Sequence, residues 1–396
     1  AMRRARGWQH APWCALLSHF CGLLALISLL GIPLLAQRFW PGLAYGVLKV
    51  VAFAAQPRSC HCPVDANVSS SKRRDAIILL VQKKRMGMLV TALASLHAHF
   101  NDCFRKDVLL FHNGDFMLED QLEVTKKFPL VQFHYLEVGG KYWRVPPALE
   151  NSAPWKSTKG YSEGYRHMCR FHYKMAFEYL SERGYQWFMR MDDDSYILSC
   201  IEYDMFQFLE DNDIFYAWRL AQLEYREFAE TLPELVDSYV REHRTPLSIE
   251  LSSHYEGGKL STESWDRWTY YNNFMMTRIS WWRSKHVSQW LDKVDSSGIA
   301  YLHRVGDAPI QTFTRMMFMH KKHVHHFQDW TYNHGPVIGL SLSSILPTAL
   351  RSMLLDDGKD LEWVGGLYDM SEYSLHGPVL QKVNRFLRTV LQVQLR

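Results

Sequence analysis

Three consecutive carboxylates, Asp192, Asp193 and Asp194, stand directly after the apolar run Gln186–Met191 (QWFMRM). Side by side they repel one another and make poor turn material. They do suit a hard divalent cation, Mn2+ or Mg2+, whose charge would offset both them and a diphosphate. Their position adds weight, because ligands of open α/β sheets bind beyond the carboxyl ends of the strands. The same string also fits a solvated acidic turn or a helix N-cap, with Ser195–Leu209 as the helix. Asp307, in Gly306-Asp307-Ala308-Pro309, is a single turn carboxylate that reads locally as an N-cap. The segment Lys321–Pro336 holds His323, His325, His326 and His334. His325 and His326 point to opposite faces of a strand and no HxxxH spacing occurs, so most of these read as surface or core histidines. Cys60-His61-Cys62 has no second pair nearby to complete four zinc ligands, which favours a stem or disulfide role.

The elements that must hold these groups alternate between strand-like and helix-like runs from Asp75 onward, the pattern of an α/β domain. Ala76–Val81 (AIILLV) suits a strand buried on both faces, followed by a helix over Gly87–Phe100, a strand at Asp107–His112 and another at Val131–Leu136. A helix over Gly164–Arg183 stops at Gly184 and leads into the strand before the acidic triplet. Tyr270–Thr277 is strand-like, Ser280 can cap a helix reaching Val294, and Gly306 opens one ending near Met319. Pro347 suits a first helical turn, and Val379–Leu395 is amphipathic, so 341–396 is expected to be a helical extension packed on a domain spanning 75–340. With 396 residues, 47% hydrophobic and 22% charged, there is room for one large domain or two ordinary ones, and a wholly disordered chain is excluded. A net charge of +4 without a basic run excludes a nucleic-acid binder.

Ahead of this body, Ala15–Ala36 is a 22-residue stretch free of Asp, Glu, Lys and Arg. As a helix it would span roughly 33 Å, a bilayer's thickness. Arg3, Arg4 and Arg6 precede it and only Arg38 follows closely, which predicts a cytosolic tail over 1–14 and a single-pass, type II anchor at 15–36 that can extend toward Ala55. A cleaved signal peptide is the rival, although its apolar region is usually shorter. Residues 56–74 read as a stem, and Asn67-Val68-Ser69 within it is an N-glycosylation acceptor usable on the far side of a membrane. Of the cysteines, Cys60, Cys62, Cys103, Cys169 and Cys200 fall beyond the anchor, so an oxidising compartment allows at most two bridges and leaves one thiol.

Several strings occur in the order of one known family: Gly164-Tyr165-Arg166-His167-Met168-Cys169-Arg170-Phe171, Phe188-Met189-Arg190 with the acidic triplet, Ile201–Phe208 (IEYDMFQF), Asn273-Phe274, Gly306–Pro309 (GDAP) and Tyr332-Asn333-His334. From about Asp75 to Pro336 the chain resembles the fungal-type α-1,2-mannosyltransferases, glycosyltransferase family 15. That resemblance implies a GT-A fold, a mixed sheet flanked by helices behind one N-terminal transmembrane helix. It also implies type II placement in the Golgi membrane with the catalytic domain lumenal. The activity implied is retaining transfer of mannose from GDP-mannose to a glycan or glycoprotein acceptor with Mn2+. Matched position by position, Asp192, Asp194 and His334 would bind the metal. Asp307 and Asp193 would be catalytic, Asp307 from the acceptor side as a group that orients or deprotonates the attacking hydroxyl. Tyr165, Arg166, Arg170, Asn273 and Asp194 would bind substrate, although Arg166 and Arg170 serve equally well as braces of the fold.

One position departs from the pattern. Where the family reads Asn-Phe-Glu, this chain has Asn273-Phe274-Met275, and a thioether cannot supply a carboxylate's charge. Retention would then proceed by front-face attack, or through another carboxylate such as Glu263, or activity is lost. The alternatives are therefore a different donor, such as a UDP-sugar, and a catalytically silent, membrane-anchored glycan-binding protein.

Overall fold

The computed structural model describes residues 60, 62–63, 73–151, 162–334, 337–341 and 362–365. All of them fall within one compact unit, Cys60–Arg396. The expected anchor at 15–36, Asn67 and most of 341–396 lie outside the described residues, among which no helix is long and apolar enough to cross a membrane.

Among the described residues there are eleven strands: β1 Asp75–Leu80, β2 Asp107–His112, β3 Val131–Tyr135, β4 Trp187–Met191, β5 Ser195–Ile197, β6 Tyr216–Leu223, β7 Trp268–Arg278, β8 Val324–His326, β9 Tyr332–His334, β10 Val337–Ser341 and β11 Glu362–Gly365. Seven of them form a mixed sheet in the order β3-β2-β1-β4-β7-β6-β8. Strands β1 to β4 run parallel, and β7 pairs antiparallel with both β4 and β6. The period-2 alternation splits the core in two. Ala76 and Ile78 of β1, Leu109 and Phe111 of β2 and Phe188 of β4 pack on one side. Ile77, Leu79, Val108, Leu110, Trp187, Met189 and Met191 pack on the other. Burial on both faces is what the continuous apolar runs predict.

The predicted 164–183 helix is interrupted: Glu163–Arg170 passes through a π-helical turn, Phe171–Met175, into Ala176–Glu182. Gly184 then takes φ +75°, the left-handed conformation that ends a helix. The 195–209 helix does not form. Ser195–Ile197 is a strand, and the helix begins at Met205, where the Asp204 side chain accepts from the Phe206 and Gln207 backbone N–H groups. Within 341–396 the described residues are Ser341 and Glu362–Gly365, and Glu362–Gly365 pairs with β10 as the outer strand of a small sheet, β11-β10-β9-β5.

Candidate metal centre

The acidic triplet leaves the carboxyl end of β4, next to β1. Strand order reverses there, so connections depart in opposite directions and open a crevice. The turn is tied down by backbone bonds: Asp192 N donates to Asn273 O on β7, and Ser195 N donates to Asp192 O. Strand β5 then pairs antiparallel with β9, register Ser195↔His334, and this pairing carries a histidine 140 residues downstream to the triplet. His334 Nδ1 lies 3.3 Å from Asp194 Oδ1 and 3.1 Å from Ser195 Oγ, and the Tyr271 ring meets the imidazole edge-on at 5.1 Å. One ligand atom each of Asp192, Asp194 and His334 fall within 4.8 Å of one another. Two carboxylates and an imidazole fixed by a neighbouring hydroxyl are a donor set suited to Mn2+.

Around these three the charges are compensated. Arg190, two residues before the triplet and 4% exposed, donates from Nε to Asp192 Oδ1 at 3.0 Å and from Nη1 to Asp307. Arg190 shares a sheet face with Phe188, the face against which helix Asp307–Phe318 packs, so alternation explains the meeting with Asp307. Asn272 Nδ2 also donates to Asp307, at 2.8 Å. Burial pushes the Asp192 carboxyl up, while Arg190 and His334 pull it down. Arg85, in the turn after β1, donates from Nε to both Asp193 oxygens at 2.8 and 2.9 Å, and its Nη2 reaches Asp194 at 2.8 Å. Burial raises the Asp193 carboxyl even so, with Arg85 opposing.

The remaining predicted residues divide. Asn273 accepts from the Tyr332 hydroxyl at 2.9 Å through Oδ1 and so belongs to the wall behind the triplet. Tyr165 accepts from Arg304 at 2.8 Å. Of the two roles open to Arg166 and Arg170, the contacts carry the bracing one. Arg166 donates to the Tyr301 carbonyl, and Arg170 forks onto Asp295 at 2.7 and 2.8 Å, both deep in the core. The stand-in carboxylate Glu263 is on the surface, paired with Arg226 and 68% exposed. Met275 is fully buried and lies opposite Arg190 in the β4–β7 ladder. A carboxylate at that position would therefore face Arg190, whose charge Asp192 and Asp307 balance instead.

Sequence reasoning passed over Arg85, Arg190, Asn272 and Glu224. Glu224 directly follows β6 at 6% exposure, and its carboxyl is raised by burial. For Arg85 and Glu224 the available signal was the same as for the triplet, charged residues just past a strand end, as in Lys83-Lys84-Arg85 after β1. Cysteine pairing, open in the sequence, is Cys60–Cys200 and Cys62–Cys103, while Cys169 is a buried thiol raised by burial and by neighbouring Asp307.

A family model described as glycolipid 2-alpha-mannosyltransferase matches residues 49–364. Alpha-1,2 mannosyltransferase KTR1 of Saccharomyces cerevisiae is 26% identical over 307 residues, covering 74% of this chain and 76% of its own. Among solved structures, the mannosyltransferase Ktr4p of S. cerevisiae superposes with a TM-score of 0.63 at 20% identity, over 76% of this chain and 82% of its own. Core-mannan synthase A of Aspergillus fumigatus, in an Mn/GDP form, gives 0.59 at 20%, over 68% and 77%. At these identities the two structures establish the glycosyltransferase fold of the sheet described above.

Proposed function

The chain belongs to the glycolipid 2-alpha-mannosyltransferase family, and on that premise we propose that it transfers mannose from GDP-mannose to a hydroxyl of a glycan acceptor, with retention of configuration. The convergence of Asp192, Asp194 and His334 at the strand end carries this reading. These three residues would hold Mn2+, which supplies Lewis-acid stabilisation to the departing diphosphate. Arg190 holds Asp192 and Asp307 in fixed relation, and Arg85 fixes the turn through Asp193 and Asp194. Asp193 is thus a positioning residue. Arg190 and Asn272 both donate to Asp307 Oδ2 and hold its carboxylate in place, and Asp307 is the group that orients or deprotonates the attacking hydroxyl. Since position 275 offers no carboxylate, attack comes from the front face, on the side from which the diphosphate leaves.

The protein is placed in the Golgi membrane by the 15–36 anchor, with its body in the lumen. Two disulfides in the body support an oxidising compartment, and Asn67 would be glycosylated there. Met275 favours one second reading, a catalytically silent glycan-binding protein. Incubating the full chain with GDP-mannose, a mannoside acceptor and Mn2+ decides between them. An α-linked product that EDTA abolishes is expected; an inert wild type rescued by Met275→Glu establishes the silent reading.

A further inference from the structure

Helix Asp307–Phe318 begins at the candidate catalytic Asp307 and runs under the amino-terminal half of β7. Past its second turn a cavity of about 240 Å3 opens, lined by Glu250, His254, Asp266, Trp268, Thr269 and Tyr270. This is smaller than the roughly 300–1,000 Å3 that drug-sized ligands occupy and suits a single ring. Its chemistry is mixed. Trp268, 44% exposed, and the partly buried Tyr270 supply aromatic faces, while Asp266, Glu250, His254 and Thr269 supply polar atoms. That combination, flat apolar faces beside carboxylates, fits a sugar ring, which has apolar C–H faces and an equator of hydroxyls.

The wall is built for this exposure. Arg267 adopts φ +66°, a left-handed conformation uncommon for a residue with a Cβ, and the Trp268 N–H donates to Asp266 Oδ1 at 3.0 Å. The chain is thereby turned so that Trp268 enters β7 at the cavity mouth. Glu250 is braced by buried Arg315, whose guanidinium lies 4.8 Å above the Tyr270 ring. A short chain of contacts links the cavity wall to the candidate catalytic groups. Trp268 pairs with Leu223 at the end of β6, the next residue is Glu224, and Glu224 lies beside Gly306, where the Asp307 helix starts. Thr312 on that helix accepts from the Tyr270 N–H at 3.1 Å and floors the cavity.

We propose that this cavity is a subsite for a sugar ring of the acceptor glycan, one or more residues away from the hydroxyl that is mannosylated. The proposal rests on the function proposed above, but its test separates the two. With the full chain, KM is measured for methyl α-mannoside and for a mannotriose, and mannotriose binding without donor is measured by calorimetry. For Trp268→Ala the expected result is an about tenfold rise in mannotriose KM and a matching loss of calorimetric affinity. The methyl α-mannoside KM and donor hydrolysis stay unchanged. Asp266→Asn, which keeps the side chain's shape, is expected to weaken mannotriose in the same selective way, and thermal unfolding checks that both variants fold. Equal effects on both acceptors, or none on either, overturn the subsite while transfer itself stands. Trp268-dependent mannotriose binding without any transfer upholds the subsite and overturns the proposed activity.

Discussion

Replacing Arg190 by Met removes the cation that Asp192 and Asp307 share. Arg190 and Asp307 are 5% and 7% exposed at their side chains and Asp192 is 29% exposed, so water can offset little of the loss for Asp307. Removing one partner of such a buried pair costs about 3–5 kcal/mol, because a charge is left without compensation. At roughly 2–4 °C per kcal/mol for a domain of this size, Tm should fall by about 6–20 °C. The Asp307→Asn exchange, introduced into Arg190→Met, takes away the orphaned charge and should return part of that loss. The assay is calorimetric or fluorescence-monitored unfolding of wild type, both single variants and the double variant. A coupling of at least about 1 kcal/mol is expected. Single effects that add within about 0.5 kcal/mol would refute the linkage of the metal turn to the Asp307 helix.

Glu224→Gln should raise Tm at neutral pH. The folded carboxyl is raised by burial, so its ionised form costs stability above the usual Glu range and the cost vanishes as acid protonates it. The Tm difference between variant and wild type should therefore shrink toward pH 4, and a difference that is flat with pH would show that Glu224 does not titrate in a buried setting. Cys200→Ser opens a bridge between residues 140 apart, for which chain entropy gives an upper value of about 5 kcal/mol. Denaturant unfolding should show a loss of several kcal/mol, whereas Cys169→Ser, at a thiol outside both bridges, should keep both disulfides, as thiol counting would verify.

The central strands and the acidic triplet were legible because they are local signals. Continuous apolar runs mark strands buried on both faces, and charges at their carboxyl ends mark a ligand crevice. His334 was legible only through family resemblance, because what brings it to Asp194 is the β5–β9 pairing. Ser195–Ile197 is three residues long, and its acidic prefix looked like a helix N-terminus. Arg166 and Arg170 show the opposite failure. Their string is specific, but guanidinium groups brace a core as readily as they hold phosphates in a crevice, and it is their partners, the Tyr301 carbonyl for Arg166 and Asp295 for Arg170, that decide. Arg190 escaped notice because its role depends on face: alternation along β4 turns it toward a helix 117 residues away. Pairing of the cysteines had no local signal at all.

The claim on which the rest depends is that His334 joins Asp192 and Asp194 around one divalent ion. Electron paramagnetic resonance of free Mn2+, titrated against the chain in the presence of GDP, measures this directly. About one tightly held ion per chain is predicted for wild type, with that site lost in His334→Ala while the variant's unfolding profile shows it folded. Unchanged Mn2+ affinity in a folded His334→Ala chain would contradict the account.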